Sequence, residues 1–390
     1  MRKIIVIFGM ICLIGCLLIE NQVDDSIAIY KEEEVRSVFI SYMELSNQFN
    51  NVSYDIAKSN VLNMINNIKN EGFNEIIVQV RSFMDAIYKS DIFPWSRYLT
   101  GTEGKDPGYD LLNLFIEEAK KVNIKVIAWI NPYRVRNDVY LSNLSEKNPA
   151  YKFIGSDTLF IKNGIYLNPS KDETTEIIVE GVMELIKNYK IDGVLFDDYF
   201  YPDNDIDKKE YEEYISKNGF IDKSQYNLNV VSRMIKEVYD VCHKYNVKFG
   251  VSPDGNMENN YNKVFADVKR WCSEEGYIDF IMPQIYYGFY NETKPYKDVL
   301  EEWESIIKNK KVDFRVALAF YKVGSHDKWA KSGENEWIDA NDIIMRQIVL
   351  ARNTYNYKGF SLYRYEYLFE TDYFTDTTLI EKENIKKVLN

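Results

Sequence analysis

Two histidines, His243 and His326, are all that the 390-residue chain offers, and its four cysteines form no Cys-x-x-Cys pair. Zinc sites need closely spaced nitrogen and sulfur ligands. No metal site is therefore expected, and neither histidine sits in a motif that supports a catalytic triad. Cys242 and Cys272 fall in helical patterns and read as buried apolar fillers, although a disulfide between them would be compatible with an extracytoplasmic setting. Positive charge is short as well: 48 Lys and Arg stand against 60 Asp and Glu, a net charge of −12. A nucleic-acid binder needs a positive footprint for phosphates, so that class is excluded. There is no Lys/Arg-rich run or basic amphipathic helix with which a folded domain would grip an anionic surface. No glycine-rich dinucleotide fingerprint follows the first strand pattern, which disfavours a nucleotide fold. No cofactor is expected.

What the chain does have is aromatic rings, 15% of residues with 31 Tyr and 6 Trp. Rings in excess of core needs suit a groove where sugar faces stack. At the N-terminus, Arg2-Lys3 precede an apolar run from Ile4 to Ile19 that is short for a spanning helix. Within it, Leu13-Ile14-Gly15-Cys16 looks like a bacterial lipobox, in which Cys16 would be lipidated and become the new N-terminus. The alternative is an uncleaved signal anchor. Either puts the domain outside the cytoplasmic membrane, with residues 1–16 as signal segment and 17–34 as a tether.

Eight β-rich segments recur: Val35–Tyr42, Asn74–Arg81, Lys125–Asn131, Asp192–Tyr199, Lys248–Asp254, Asp279–Tyr286, Phe314–Tyr321 and Lys358–Tyr365. Helix-period stretches lie between them, for example Val61, Leu62, Ile65 and Ile68 within Ile56–Asn70. Strict alternation implies parallel strands joined by crossovers, and eight units predict a single α/β domain over residues 35–390, a (β/α)8 TIM barrel. Helix-to-strand turns such as Glu71-Gly72-Phe73 are tight, whereas Ser82–Asp110, Pro132–Asp172 and Phe200–Tyr226 are long. Those long strand-to-helix loops gather at the C-terminal face, where barrel enzymes place their active sites.

Strand parity then selects residues. If Ile76, Val78 and Val80 face the helices, Gln79 and Arg81 face inward. The same count turns Trp129 and Asn131, Ser252 and Asp254, and Gln284 and Tyr286 toward one mouth. On the fourth strand Leu195, Asp197 and Tyr199 count as inward, with Asp198 at the rim. Two adjacent carboxylates ending an apolar strand are costly to desolvate unless paired or protonated, the environment a general acid requires.

Several ordered blocks carry a family resemblance: Gln79-Val80-Arg81 through Asp85-Ala86-Ile87-Tyr88, Pro94-Trp95-Ser96, Ala128-Trp129-Ile130-Asn131-Pro132-Tyr133-Arg134, Phe196-Asp197-Asp198-Tyr199-Phe200-Tyr201-Pro202 and Pro283-Gln284-Ile285-Tyr286. From about Val35 to Glu366 the chain resembles the glycosyl-hydrolase-like family ten of bacterial cell-envelope proteins. The resemblance implies a barrel hydrolase of bacterial glycans, with peptide-free peptidoglycan strands as a substrate class. Two departures stand out: Asp254 where the family has an aromatic after Ser-Pro, and Leu195 where it commonly has a histidine.

Glycoside hydrolysis needs an acid and a nucleophile or base. Asp197 or Asp198 is expected to be the acid, the other orienting it. Asp254, Asp85 and Glu366 are candidates for the second group. Substrate assistance by an N-acetyl group, oriented with the help of Tyr286 or Gln284, would need none. Arg81, Asn131, Tyr133 and Arg134 are expected to position substrate, and Trp95, Trp129, Tyr199 and Tyr286 to line or stack in the groove. The rival class is a carbohydrate-binding envelope lipoprotein without turnover.

Overall fold

The computed structural model describes residues 34–389; the lipobox, Cys16 and residues 17–33 of the tether lie outside the described residues. Eight parallel strands close into a barrel: β1 Val35–Ile40, β2 Glu75–Arg81, β3 Lys125–Ile130, β4 Gly193–Phe196, β5 Lys248–Val251, β6 Phe280–Ile281, β7 Asp313–Leu318 and β8 Tyr357–Leu362. All eight segments expected from the sequence form strands, and β8 closes on β1 through Val35 opposite Gly359. The barrel fabric begins at Glu34, whose buried carboxylate accepts from Arg36, Arg352 and Tyr357.

Helices follow the strands because their apolar residues repeat at helical spacing. Tyr54–Asn70 buries Val61, Ile65 and Ile68, and Lys223–Lys244 buries Val231, Ile235 and Val238. Outward strand residues such as Val38, Val78, Val194 and Val316 pack against these helices in one large core. A second, smaller core fills the barrel: Phe39, Ile77, Ile127, Trp129, Leu195, Phe280, Met282 and Ala317. Gly250 makes room for it, since a Cβ there would sit 2.3 Å from the Phe280 ring. Below that layer, Arg315 Nη1 pairs with Glu75 Oε1 at 3.0 Å and Ser37 donates to the same oxygen.

Three differences from expectation have local causes. The sixth strand is short because Pro283 has no N–H for the ladder; beyond it only isolated bridges join Gln284 to Asp254 and to Ala317. The helical pattern over Lys263–Glu275 forms a helix only at Val268–Ser273, capped by Asp267, and a separate short helix, Met257–Asn262, precedes it. The long loop after β3 folds on itself as a three-stranded antiparallel sheet of Arg134–Arg136, Leu159–Ile161 and Ile165–Leu167. No helix among the described residues is long and apolar enough to cross a membrane. Cys242 and Cys272 are free and buried.

Candidate active site

Above the inner apolar layer the same strands end in polar side chains, and these are joined in one direction. The backbone N–H of Tyr42 donates to Gln79 Oε1 at 2.9 Å, which leaves the Gln79 amide nitrogen to donate to Asn131 Oδ1 at 2.7 Å. Asn131 must then turn its own nitrogen to Asp197 Oδ2, at 2.6 Å. Trp129 Nε1 donates to that oxygen at 2.9 Å, and the Tyr199 N–H donates to Asp197 Oδ1 at 3.1 Å. Every link is a donor pointing toward Asp197, so the relay favours its ionised form.

Asp198 is treated differently. Its Oδ1 accepts from Gln284 Nε2 at 3.0 Å, the same nitrogen bonding the Ser252 carbonyl at 3.0 Å. Gln284 is the one side chain among the described residues that donates to Asp198. The loop leaving β4 is held firmly behind the pair, by Tyr201 donating to Asp207 and by Phe200 packing edge-on against Trp271 at 5.7 Å.

Burial and the neighbouring Asp198 charge push Asp197 up to about 7, and burial raises Asp198 too, with Asp254 adding to the effect. Two buried carboxyls side by side cannot both shed their protons easily, so the pair holds one proton near neutral pH. Donors from Trp129, Asn131 and the Tyr199 N–H oppose that rise at Asp197, whereas Asp198 has the Gln284 amide as its side-chain donor.

Asp198 opens into a cleft of about 520 Å³ that Asp254, Gln284 and Tyr286 also line. Asp254 Oδ1 accepts from the Asn256 N–H at 2.8 Å and Oδ2 from Asn259 at 2.7 Å, a pair of donors that suits a carboxylate. Tyr286 closes the inner layer beside Tyr363, ring centroids 5.7 Å apart. At the other rim the Arg134 guanidinium lies between Phe83 and Tyr199, 4.6 and 4.3 Å from their centroids, with no hydrogen-bond partner among the described residues. It lowers both Asp197 and Asp198 electrostatically, against the effect of burial.

Other expected site residues face elsewhere. Gln79 pairs with Trp129 but Arg81 pairs with Ile130, so Val80 is an extra residue in the ladder. Such a bulge reverses the parity that follows. Arg81 therefore points to the helix layer, stacked on Phe93 at 4.0 Å and pressed against Gly181, where a Cβ would meet its Nη1 at 2.2 Å. Tyr133 is fully buried in the outer core with its hydroxyl unpartnered. Asp85 accepts from the Arg97 N–H at 3.2 Å inside the loop after β2, and burial holds it up at about 6. Trp95 is bridged to Asp85's neighbour Ala86 and packs on the outer core. Glu366 is tied to Arg364. These four residues, with Arg81, build the loops and walls rather than the mouth.

Among the described residues no cluster of His, Cys, Asp and Glu is arranged to hold a metal. The sequence reading had missed Asn256, Asn259, Lys322, Asp327 and Trp329, which line the cleft from loops after β5 and β7. A cavity of about 820 Å³ lies at the opposite end of the barrel, where Arg315 pairs with Glu75 and Lys248 with Asp313, at 3.0 and 3.3 Å. That end of a barrel serves stability.

The family model described as glycosyl hydrolase-like 10 matches residues 34–339. A Bacillus subtilis (strain 168) protein, Glycosyl hydrolase YngK, is 34% identical over 325 residues, covering 77% of this chain; the chain spans 62% of that relative's length. Glycosyl hydrolase DigH of Escherichia coli (strain K12) is 30% identical over 341 residues, 80% of this chain and 76% of that one. Among solved structures, the catalytic domain of a β-amylase from Paenibacillus polymyxa superposes with a TM-score of 0.56 at 12% identity, over 92% of this chain and 99% of the other. The PgaB (BpsB) glycoside hydrolase domain from Bordetella bronchiseptica gives 0.56 at 13% identity with the same coverage. These two share the barrel fold. The sequence matches go further: the chain belongs to the glycosyl hydrolase-like 10 family.

Proposed function

We propose that the protein is a glycoside hydrolase of the bacterial cell envelope that cleaves peptide-free peptidoglycan strands. The observation that carries the reading is the dyad: Asp197 held by a relay of donors, beside an Asp198 that lines the cleft and accepts from Gln284; we assign the shared proton to Asp198. Cleavage of a glycosidic bond needs a proton on the leaving oxygen, and Asp198 is the group that donates it. Asp197 keeps that proton in place by staying negative and by resisting a second ionisation next to it. Asp254 is the carboxylate assigned to the opposite role, and Arg134 and Tyr199 hold the sugar at the other rim. Family membership and the relatives named glycosyl hydrolases support the reaction class. The lipobox-like Leu13-Ile14-Gly15-Cys16 supports anchoring to the outer face of the cytoplasmic membrane through Cys16.

Mass spectrometry of purified peptide-free glycan strands incubated with the protein tests this. Sugar-sized products are expected, and Asp198→Asn should lower their rate by at least about a thousandfold while strands still bind. Binding by the wild type with no product from any glycan would instead mark a carbohydrate-binding protein.

A further inference from the structure

We propose that the loops after β6 and β7 form a second sugar subsite, with the indole of Trp329 as its stacking platform. Trp329 is 88% exposed and Tyr290 70% exposed, both on loops at the C-terminal face of the barrel. A lone exposed ring on a mobile loop would mean little. These loops are pinned. Lys322 Nζ donates to the Tyr286 carbonyl and to Asp327 Oδ2, each at 2.8 Å, and Asp327 Oδ1 accepts from the Trp329 N–H at 3.3 Å. The Asp327 N–H reaches the Glu334 carbonyl at 2.9 Å, and Ala330, next to Trp329, is buried.

The two loops are also fastened to each other. The Glu292 N–H donates to the Ala330 carbonyl at 3.2 Å, and Glu336 accepts from the Phe289 and Tyr290 N–H groups at 2.9 and 2.8 Å. Gly333 sits so close that a Cβ would lie 2.2 Å from the Tyr290 carbonyl oxygen. The chain thus spends tight backbone packing to hold large apolar rings in water, an arrangement that points to a ligand with an apolar face. Trp329 lines the same cleft as Asp198 and Asp254, and Asn256, Asn259 and Thr293 supply hydrogen-bonding edges around it. A pyranose offers that combination, an apolar ring face rimmed by hydroxyls.

Position gives the subsite its meaning. Asp198 follows β4 and Trp329 lies on the loop after β7, and those two strands are three spacings apart around the barrel, on the order of 14 Å. That is longer than one sugar ring. The platform would therefore engage a unit of the chain remote from the bond cleaved, and the enzyme would favour oligomers over disaccharides. The inference rests on the glycan-cleaving reading, but its test separates the two.

The full-length protein carrying Asp198→Asn, with and without Trp329→Phe or Trp329→Ala, is titrated with chitobiose, chitohexaose and soluble peptide-free peptidoglycan strands. The emission assigned to Trp329, obtained as the difference from the Trp329→Phe protein, is expected to shift to the blue with one of the two long probes. Trp329→Ala should weaken binding of that probe about tenfold, and Trp329→Phe should restore most of it. In the otherwise wild-type background, Trp329→Ala should lower the ratio of kcat/KM for long strands to that for short ones by a similar factor. An unchanged Trp329 emission with all three probes, or an unchanged ratio alongside strand cleavage, overturns the subsite and leaves the hydrolase reading standing. Trp329-dependent binding with no cleavage by the wild type does the reverse.

Discussion

Trp129→Phe isolates one hydrogen bond at the centre of the site. Trp129 Nε1 donates to Asp197 Oδ2 at 2.9 Å, with both residues buried, 6% and 2% exposed. A hydrogen bond to a charged acceptor contributes about 1.5–3 kcal/mol, more than the same bond to the neutral carboxyl of Asp197 would. The bond therefore lowers the proton affinity of Asp197, against the raising effects of burial and Asp198. Removing it should raise that affinity by about 1–2 pH units. In the active state the dyad has one proton, on Asp198, so activity is lost at low pH when Asp197 takes a second. The acidic limb of the kcat/KM profile should accordingly move up by about 1–2 units. Phe39→Leu is the control: Phe39 packs edge-on against Trp129 at 5.5 Å in the same inner layer and touches no carboxylate. Both variants should lower Tm by thinning that layer, and only Trp129→Phe should move the limb. An acidic limb that stays put, or that moves equally in Phe39→Leu, would refute the reasoning.

Gln284→Leu removes the donor to Asp198 Oδ1, which lowers the Asp198 proton affinity; the basic limb of the same profile should move up, the opposite limb from Trp129→Phe. Glu381, buried behind the helix Ile343–Ala351, is raised by desolvation from 4.5 to about 7. Its raised value means the folded protein holds this proton more tightly than the unfolded chain, so the carboxyl costs stability as pH rises from about 4.5 to 7. Glu381→Gln should then raise the unfolding free energy at pH ~8 by on the order of 1–3 kcal/mol, a gain that fades by pH ~5 in chemical denaturation. Gly181→Ala would put a methyl 2.2 Å from Arg81 Nη1 and 2.5 Å from the Phe93 ring. It should destabilise the fold by about 1–3 kcal/mol, and a Tm equal to the wild type's would show that Arg81 is free to move.

Asp197-Asp198, Asn131, Gln79, Trp129 and Gln284 were legible because side-chain parity holds along β3 and β4 to their polar ends, along β2 as far as Gln79, and past β6 through the bridge at Gln284. Arg81 was not, since one extra residue at Val80 turns it to the other face and no residue type announces that. Tyr133 misled for a related reason: just beyond the end of β3 the chain enters the small antiparallel sheet, where barrel parity no longer applies. Trp329 was invisible because exposure is a property of its surroundings, set by Lys322, Asp327 and a loop nearly forty residues earlier.

Local periodicity and turn chemistry, then, are enough to write eight strands, their helices, and a mouth that carries two acids, because each of these depends on residues close along the chain. Which acid keeps the proton depends on partners 37 to 86 residues apart, meeting only when the barrel closes. Closure removes water, orders the amides into one direction and presses two carboxyls together. Those are long-range effects of burial, and tertiary structure alone decides them.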